Sequence, residues 1–243
     1  MISNILEEYD PYKIQPQIFS IVVVFLILLF CSLFYFFKLK KQRPDRAPHG
    51  FVLVIQMYIE YIRDLTVSIL GYKHEKLTPY FIVLFSYLLV SNTIGIIGIS
   101  NPTSSLTVTL SMGLVTWIGM FVFGFKYQKI SYVKKFCFKI AIKNKDIPIM
   151  VNPLEIIGQI TPLVSISFRL WGNIFAGSVI LGLWYAFCNQ IFQHVPLLGV
   201  FNLLGCITSP PIHIYFDLLC GVIQALVFTL LTMVYWNLEK GEK

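Results

Sequence analysis

The chain has 243 residues, of which 56% are hydrophobic and only 13% are charged, and its formal net charge is +7. An ordinary soluble domain has about 25% charged residues, so this composition excludes that class and predicts a membrane protein. The charge does not indicate nucleic-acid binding, because most basic residues lie in two short segments, 38–46 and 126–145, between apolar runs. Such segments are typical of membrane loops on the inner side. We therefore expect a lipid bilayer around the chain and no nucleic-acid partner.

The first 75 residues predict one membrane span followed by a helix on the membrane surface. After a polar tail at 1–16, the apolar run Gln17–Phe37 is long enough to span a bilayer, and it is expected to be a retained helix, not a signal peptide. The basic end of segment 1–50 stops this span. In segment 51–75, Phe51–Leu70 mixes apolar residues with Gln56, Glu60, Arg63 and Asp64, a pattern typical of an amphipathic surface helix.

A helical hairpin over 80–126 comes next. Its two spans are Tyr80–Ile99 and Leu106–Phe125. A long helix then starts at Asn152, a plausible N-cap, with Pro153 in the first helical position.

The last two helices are too long for upright spans. The pattern from 152 continues to about Gln190, roughly 36 residues or about 54 Å, whereas a bilayer core is about 30 Å thick. This helix must tilt, bend at Pro162, or break. The final stretch starts near Pro196, is interrupted at Pro210-Pro211 and runs to Leu238.

The whole chain, 1–243, is therefore predicted to be a single all-α integral membrane domain. It has five membrane-embedded helices and one surface helix, and the segment 152–238 forms a tilted antiparallel hairpin. The basic segments put the N-terminus outside and the C-terminus inside, and this orientation leaves the uncharged connections 100–105 and 189–211 outside.

Two ionised side chains stand out in the last hairpin. From Ile156 to Leu238 only Arg169 and Asp217 are ionised, and a charge at the centre of a bilayer costs roughly 2.5–3.5 kcal/mol on insertion scales. Helical spacing places further polar residues near each of them. These residues are Glu155, Gln159, Ser165 and Asn173 on the long helix, and His213 and Gln224 on the last one.

A facing pair of polar stripes could form a hydrated proton path, but structural interpretations stay open. Arg169 and Asp217 could be a buried ion pair that joins two helices. Ser165, Asn173 and Gln224 could form hydrogen bonds between helices, and His213 could have a structural role. Glu155 could be a first-turn charge favoured by the helix dipole.

Several motifs resemble subunit a of the F-type ATP synthase. The run Ser167–Gly177 (SFRLWGNIFAG) is similar to the family's arginine motif, and Gln224–Phe228 (QALVF) is similar to the motif on its final helix. Asn152–Glu155 (NPLE) and Asn92 match as well. The resemblance extends from about residue 50 to the end.

The resemblance implies the stator half of a rotary motor. Such a subunit packs its tilted helices against a ring of c subunits and provides two offset proton half-channels. The family also implies peripheral-stalk b subunits and other ATP synthase subunits as partners. Arg169 matches the family's essential arginine, which separates the half-channels and meets the ring carboxylates.

The other polar residues are divided between the half-channels by the same resemblance. One departure stands out: Asp217 falls where the family usually has glutamate or histidine, and Ser178 falls where relatives carry the complementary group. The expected outer half-channel consists of Asp217, Gln224, Asn92, Ser178 and His213. The expected inner half-channel consists of Asn173, Ser165 and Glu155.

A channel or secondary transporter that acts without a c-ring is the main alternative function. The sequence has no phosphate-binding loop, no metal-ligand spacing and no cysteine pair typical of a disulfide, so we expect no cofactor, no metal and no catalysis by this chain alone. The expected location is a bacterial cell membrane, with the mitochondrial inner membrane as the alternative.

Overall fold

The computed structural model describes residues 16–41, 50–129, 132, 137–142, 145–192 and 203–241. The predicted tail at 1–16 lies almost wholly outside these ranges. So do most of segment 38–46 and the predicted start of the last stretch at residue 196.

The fold is dominated by helices, as predicted. In the described part of the chain, five helical segments are long and apolar enough to cross a membrane: Gln17–Lys41, Tyr72–Ile97, Leu106–Gln128, Pro153–Gln190 and Gly205–Leu238. This confirms an all-α membrane architecture with five candidate spans. The α-helices are α1 Pro16–Lys41, α2 Phe51–Leu70, α3 Thr78–Thr93, α4 Leu106–Gln128, α5 Pro153–Phe192, α6 Leu203–His213 and α7 Gly221–Leu238.

Helix α2 is the amphipathic helix that the sequence indicates, and it is not among the candidate spans. Its buried face includes Ile62, Thr66 and Leu70, while Arg63 on the exposed side pairs with Glu75 at 2.6 Å. The helix ends at Gly71, whose φ of 83° favours glycine. A short 3₁₀ turn then leads into α3.

A β-hairpin, which the sequence analysis did not anticipate, follows α4. Strand β1, Cys137–Ile142, pairs antiparallel with β2, Lys145–Val151. The register is irregular between Phe138 and Lys139, next to the pairing of Lys139 with Pro148, a residue that cannot donate to the ladder. The missed signal was the density of β-branched residues, which favour strands.

Helix α5 is one continuous helix of 40 residues that passes through Pro162. It begins as predicted, because the Asn152 side-chain oxygen accepts a hydrogen bond from the Leu154 amide at 3.2 Å. The sequence left open whether this long helix tilts, bends or breaks, and its continuity through Pro162 rules out a break. At 1.5 Å per residue the helix is about 60 Å long, twice the thickness of a bilayer core.

The predicted interruption at Pro210-Pro211 is wrong. Both prolines lie inside α6, and the helix continues through a π-helical segment, Ile214–Cys220, into α7. Membrane helices tolerate proline because neighbouring groups and local π turns satisfy the freed carbonyls. The irregularity is therefore displaced to the turns after the prolines, and π segments often lie at functional sites.

The last two long helices are antiparallel. The last long helix consists of α6, the π-helical segment and α7. Residues near the C-terminal end of α5 contact the start of this helix, and residues near the N-terminal end of α5 contact its end. The contacts, in that order, are Trp184 with Thr208, Tyr185 with His213, Asn173 with Cys220, and Gln159 with Glu239.

The C-terminal end of α7 is fixed by aromatic packing and by the residues that follow it. Trp236 stacks on Tyr80 with a centroid distance of 5.3 Å, and its indole N–H donates to the Thr116 carbonyl at 2.9 Å. Lys240 Nζ then donates to the Leu70 carbonyl at the end of α2. These contacts hold the last helix in place against α2, α3 and α4.

Candidate functional site

Arg169 lies on an exposed face of α5. Within the residues that the structure describes, it forms no hydrogen bond or ion pair, so the alternative of a buried Arg169–Asp217 pair is not supported. Its neighbours Ser167 and Leu170 are fully buried on the opposite side of the helix. A cation in an apolar span needs a partner or water, and the described part of this chain supplies no side-chain partner.

Asp217 is instead paired with His213, one turn earlier. His213 Nδ1 lies 2.7 Å from Asp217 Oδ2. The other ring nitrogen, Nε2, lies 2.8 Å from the Tyr185 hydroxyl on α5. The sequence analysis noted His213 and Asp217 but missed Tyr185, because its contact joins two different helices.

A small cavity lies between α5 and the π-helical segment. Its volume is about 10 Å³, which is the lower limit for one water molecule. The polar residues that line it are Asn92, Asn101, Asn173 and Asp217. The Asn101 side-chain oxygen is buried and has no hydrogen-bond partner among the described residues, so the cavity lining includes an unused acceptor.

Asn92 holds the helices around this cavity together. Only 1% of the residue is exposed, and its amide N–H donates to the Gly221 carbonyl at 3.1 Å. Its side-chain oxygen accepts from the Thr103 hydroxyl at 3.0 Å. A Cβ at Gly221 would lie 3.1 Å from Asn92 Cβ, so the glycine allows the close approach that the hydrogen bond requires.

Of the other predicted site residues, one lies at this cavity and the rest are dispersed. Asn173, which the sequence analysis assigns to the inner half-channel, shares the cavity with Asn92 and Asp217. Ser178 is exposed and donates to the Phe175 carbonyl of its own helix at 2.8 Å. Gln224 is buried, and its Nε2 has no partner among the described residues. Ser165 lines an open groove whose walls are almost entirely apolar.

The sequence analysis missed a second polar cluster, near the N-terminal end of α5. Gln159 Nε2 donates to a Glu239 carboxylate oxygen at 2.8 Å, and the Tyr132 hydroxyl donates to Gln159 Oε1 at 3.4 Å. Burial, with smaller contributions from Glu239 and Glu155, raises the pKa of Tyr132 to about 12. Glu155 therefore lies within electrostatic range of this cluster.

The residues of the predicted polar stripe on α5 differ in burial along the helix. Gln159 is buried, whereas Arg169 is exposed. Ten residues at 100° each fall about 80° short of three full turns, so the two side chains point in different directions. Arg169 is therefore offset from Gln159 around the helix and does not belong to the buried cluster.

Fold and site together define a multi-pass α-helical membrane protein. One span carries an arginine that has no partner among the described residues, and a polar cavity lies between that span and the last one. The model of one protein family, described as ATP synthase A chain, matches residues 18–237. The chain belongs to this family, the a subunits of ATP synthase, which confirms the resemblance read from the motifs.

Individual relatives agree with this assignment. The chain is 44% identical to ATP synthase subunit a of Mycoplasma pneumoniae over 234 residues, which cover 94% of this chain and 80% of the relative. It is 42% identical to ATP synthase subunit a of Mycoplasmoides gallisepticum over 237 residues, which cover 95% of this chain and 80% of the relative. It is also 28% identical to a relative from Propionigenium modestum that is named ATP synthase subunit a, sodium ion specific. This match extends over 236 residues, which cover 90% of this chain and 73% of the relative.

Proposed function

We propose that the chain is the stator subunit a of a rotary F-type ATP synthase. It would provide two offset half-channels to a c-ring and the arginine that separates them. Its partners would be the c-ring, the peripheral-stalk b subunits and other subunits of the complex. The observation that carries the proposal is Arg169, an exposed cation on a membrane span with no partner within the described residues.

The physical role of Arg169 follows from its charge. A fixed guanidinium favours the ionised form of any carboxylate that comes close to it. A ring carboxylate that reaches Arg169 would lose its proton to the inner half-channel. Because the same cation repels protons, it would also block direct leakage between the two half-channels.

The outer half-channel would lead to the cavity beside α5. Asp217 and Asn92 line this cavity, and His213 contacts Asp217 at the cavity's edge. Asn173 lines the same cavity and lies one helical turn from Arg169 on α5. We therefore place Asn173 at the inner end of this path, next to Arg169. Gln224 and Ser178 remain predicted members. Ser165 and Glu155 would belong to the inner half-channel.

The chemistry of ATP would belong to other subunits of the complex. This chain would move ions in a bacterial cell membrane, with its N-terminus outside and its C-terminus in the cytoplasm. The basic segments at 38–46 and 126–145 support this orientation.

The test is ATP-driven proton pumping by assembled complexes in membrane vesicles that carry Arg169→Ala. We expect coupled pumping to disappear while the complex still assembles. Arg63→Ala, which removes the exposed pair with Glu75, is the matched control and should pump normally. Vesicles with and without Na⁺ would separate proton from sodium transport. Normal pumping by Arg169→Ala would contradict the proposal and favour a channel or transporter that works without a ring.

A further inference from the structure

The Asp217 carboxylate is held at one of its two oxygens. His213 Nδ1 contacts Oδ2 at 2.7 Å, whereas Oδ1 has no hydrogen-bond partner in the part of the chain that the structure describes. An ionised carboxylate has acceptor sites on both oxygens. The geometry therefore leaves Oδ1 free to take up and release a proton while Oδ2 fixes the orientation of the group.

Tyr185 contacts the ring nitrogen of His213 that faces away from Asp217. Its hydroxyl lies 2.8 Å from His213 Nε2. When the ring is neutral, the ionised Asp217 carboxylate requires the ring hydrogen on Nδ1, the nitrogen that faces it, and the hydroxyl then donates to Nε2. When the ring is charged, the hydroxyl accepts from Nε2–H. In both states the Nδ1–H donates to the carboxylate, so Tyr185 keeps this bond intact.

Exposure falls along the three side chains. Tyr185 is an exposed residue, and the side chains of His213 and Asp217 are 34% and 15% exposed. The next polar residue in the cavity, Asn92, is only 1% exposed. The series therefore runs from the outer surface of the hairpin to its interior, with Tyr185 at the outer end.

We propose that Tyr185 is a positioning residue for proton uptake at Asp217, an inference that rests on the proposed function. Tyr185 fixes the His213 ring, and His213 in turn holds Oδ2 of Asp217, which leaves Oδ1 available to water. One proton from water binds Oδ1 and makes the neutral acid. The same proton then leaves Oδ1 toward the cavity, which restores the carboxylate, and His213 retains its Nδ1–H throughout.

The experiment measures ATP-driven proton pumping per assembled complex in vesicles, first for Tyr185→Phe. We expect pumping to fall about five- to tenfold, the effect of one lost hydrogen bond to a functional group. Tyr215→Phe is the matched control. Tyr215 is an exposed tyrosine on the adjacent π-helical segment, and it should pump normally. An equal loss in both variants would overturn the proposal.

A double-mutant cycle separates positioning from simple structural support. If Tyr185 acts through His213, the double variant Tyr185→Phe/His213→Ala pumps no worse than His213→Ala alone. Losses that multiply would contradict the proposal.

A conservative variant tests the role of the histidine ring. His213→Gln should retain most of the pumping, because a glutamine amide can donate to an aspartate at this helical spacing. If it is as defective as His213→Ala, the histidine itself carries the proton, and the positioning role is wrong.

Arg169→Ala in the same vesicles distinguishes the two levels of inference. If Arg169→Ala fails and Tyr185→Phe pumps normally, only the role of Tyr185 is refuted. If Arg169→Ala pumps normally, the proposed function itself is refuted.

Discussion

Replacing Gly119 with alanine should separate α4 from the C-terminal end of α7. A Cβ at this position would lie 2.5 Å from Trp236 Nε1 and closer still to two carbons of the indole ring. Carbon atoms at optimal contact are about 3.5–4.0 Å apart, so the indole would have to move by roughly 1 Å. That movement would disturb its hydrogen bond to the Thr116 carbonyl and its stacking on Tyr80.

The expected cost can be set against a matched control. Gly158→Ala adds the same methyl group to α5, where a Cβ would meet nothing within 4 Å. Both variants gain the higher helix propensity of alanine, up to about 1 kcal/mol, so this gain cancels in the comparison. Overpacking of a well-packed core typically costs about 1–3 kcal/mol. We therefore expect Gly119→Ala to be less stable than Gly158→Ala by this amount.

The assay is unfolding of the purified full-length chain in mixed detergent micelles, with increasing sodium dodecyl sulfate and helicity followed by circular dichroism. The tryptophan fluorescence of Gly119→Ala should change as well, because Trp236 must move. Equal unfolding free energies for the two alanine variants would refute the close packing of α4 against α7.

Three further outcomes are expected. Asn92→Leu removes the hydrogen bonds to Gly221 and Thr103 and should lower the free energy of unfolding by about 1–2 kcal/mol; an unchanged value in the same assay would contradict their contribution. Gln159→Leu removes the donor to the buried Glu239 carboxylate, and the accompanying change Glu239→Gln should restore part of the lost stability; no restoration would show that this carboxylate does not depend on Gln159. The pKa of Tyr132 is raised from 10.0 to about 12, so the stabilising effect of Tyr132 should be complete below pH 10 and decline as the pH rises toward 12. The difference in unfolding free energy between the unchanged chain and Tyr132→Phe should therefore decrease over this range, and a constant difference would be inconsistent with the raised pKa.

The helical frame could be predicted because lipid imposes a simple rule on the sequence. A span needs about 20 apolar residues, and the runs ending at Phe37, Ile99 and Phe125 meet that requirement. The start of α5 was predictable because capping is local, and Asn152 does cap the helix. Features that depend on a distant partner could not be read in this way.

Three details of the site depend on such partners. The bond between Tyr185 and His213 joins residues 28 positions apart, and no local pattern predicts it. The link from Gln159 to Glu239 spans 80 positions. The continuation of the helix through Pro210-Pro211 depends on a π-helical segment, for which the sequence has no clear signal. Local rules therefore predicted the membrane helices, while tertiary contacts decide how the polar residues on them are connected.

Cross-linking across the exposed face of α5 tests the central claim most directly. In complexes without other cysteines, Gly172→Cys lies one turn from Arg169, at a position where a Cβ meets nothing within 4 Å. Ser167→Cys, at a fully buried position on the same helix, is the control. With a cysteine placed beside the carboxylate of a c subunit, mild oxidation should join Gly172→Cys to the ring and leave Ser167→Cys unlinked. If Gly172→Cys forms no link to the ring, or if the two variants link equally, Arg169 does not face a rotating ring and the account is contradicted.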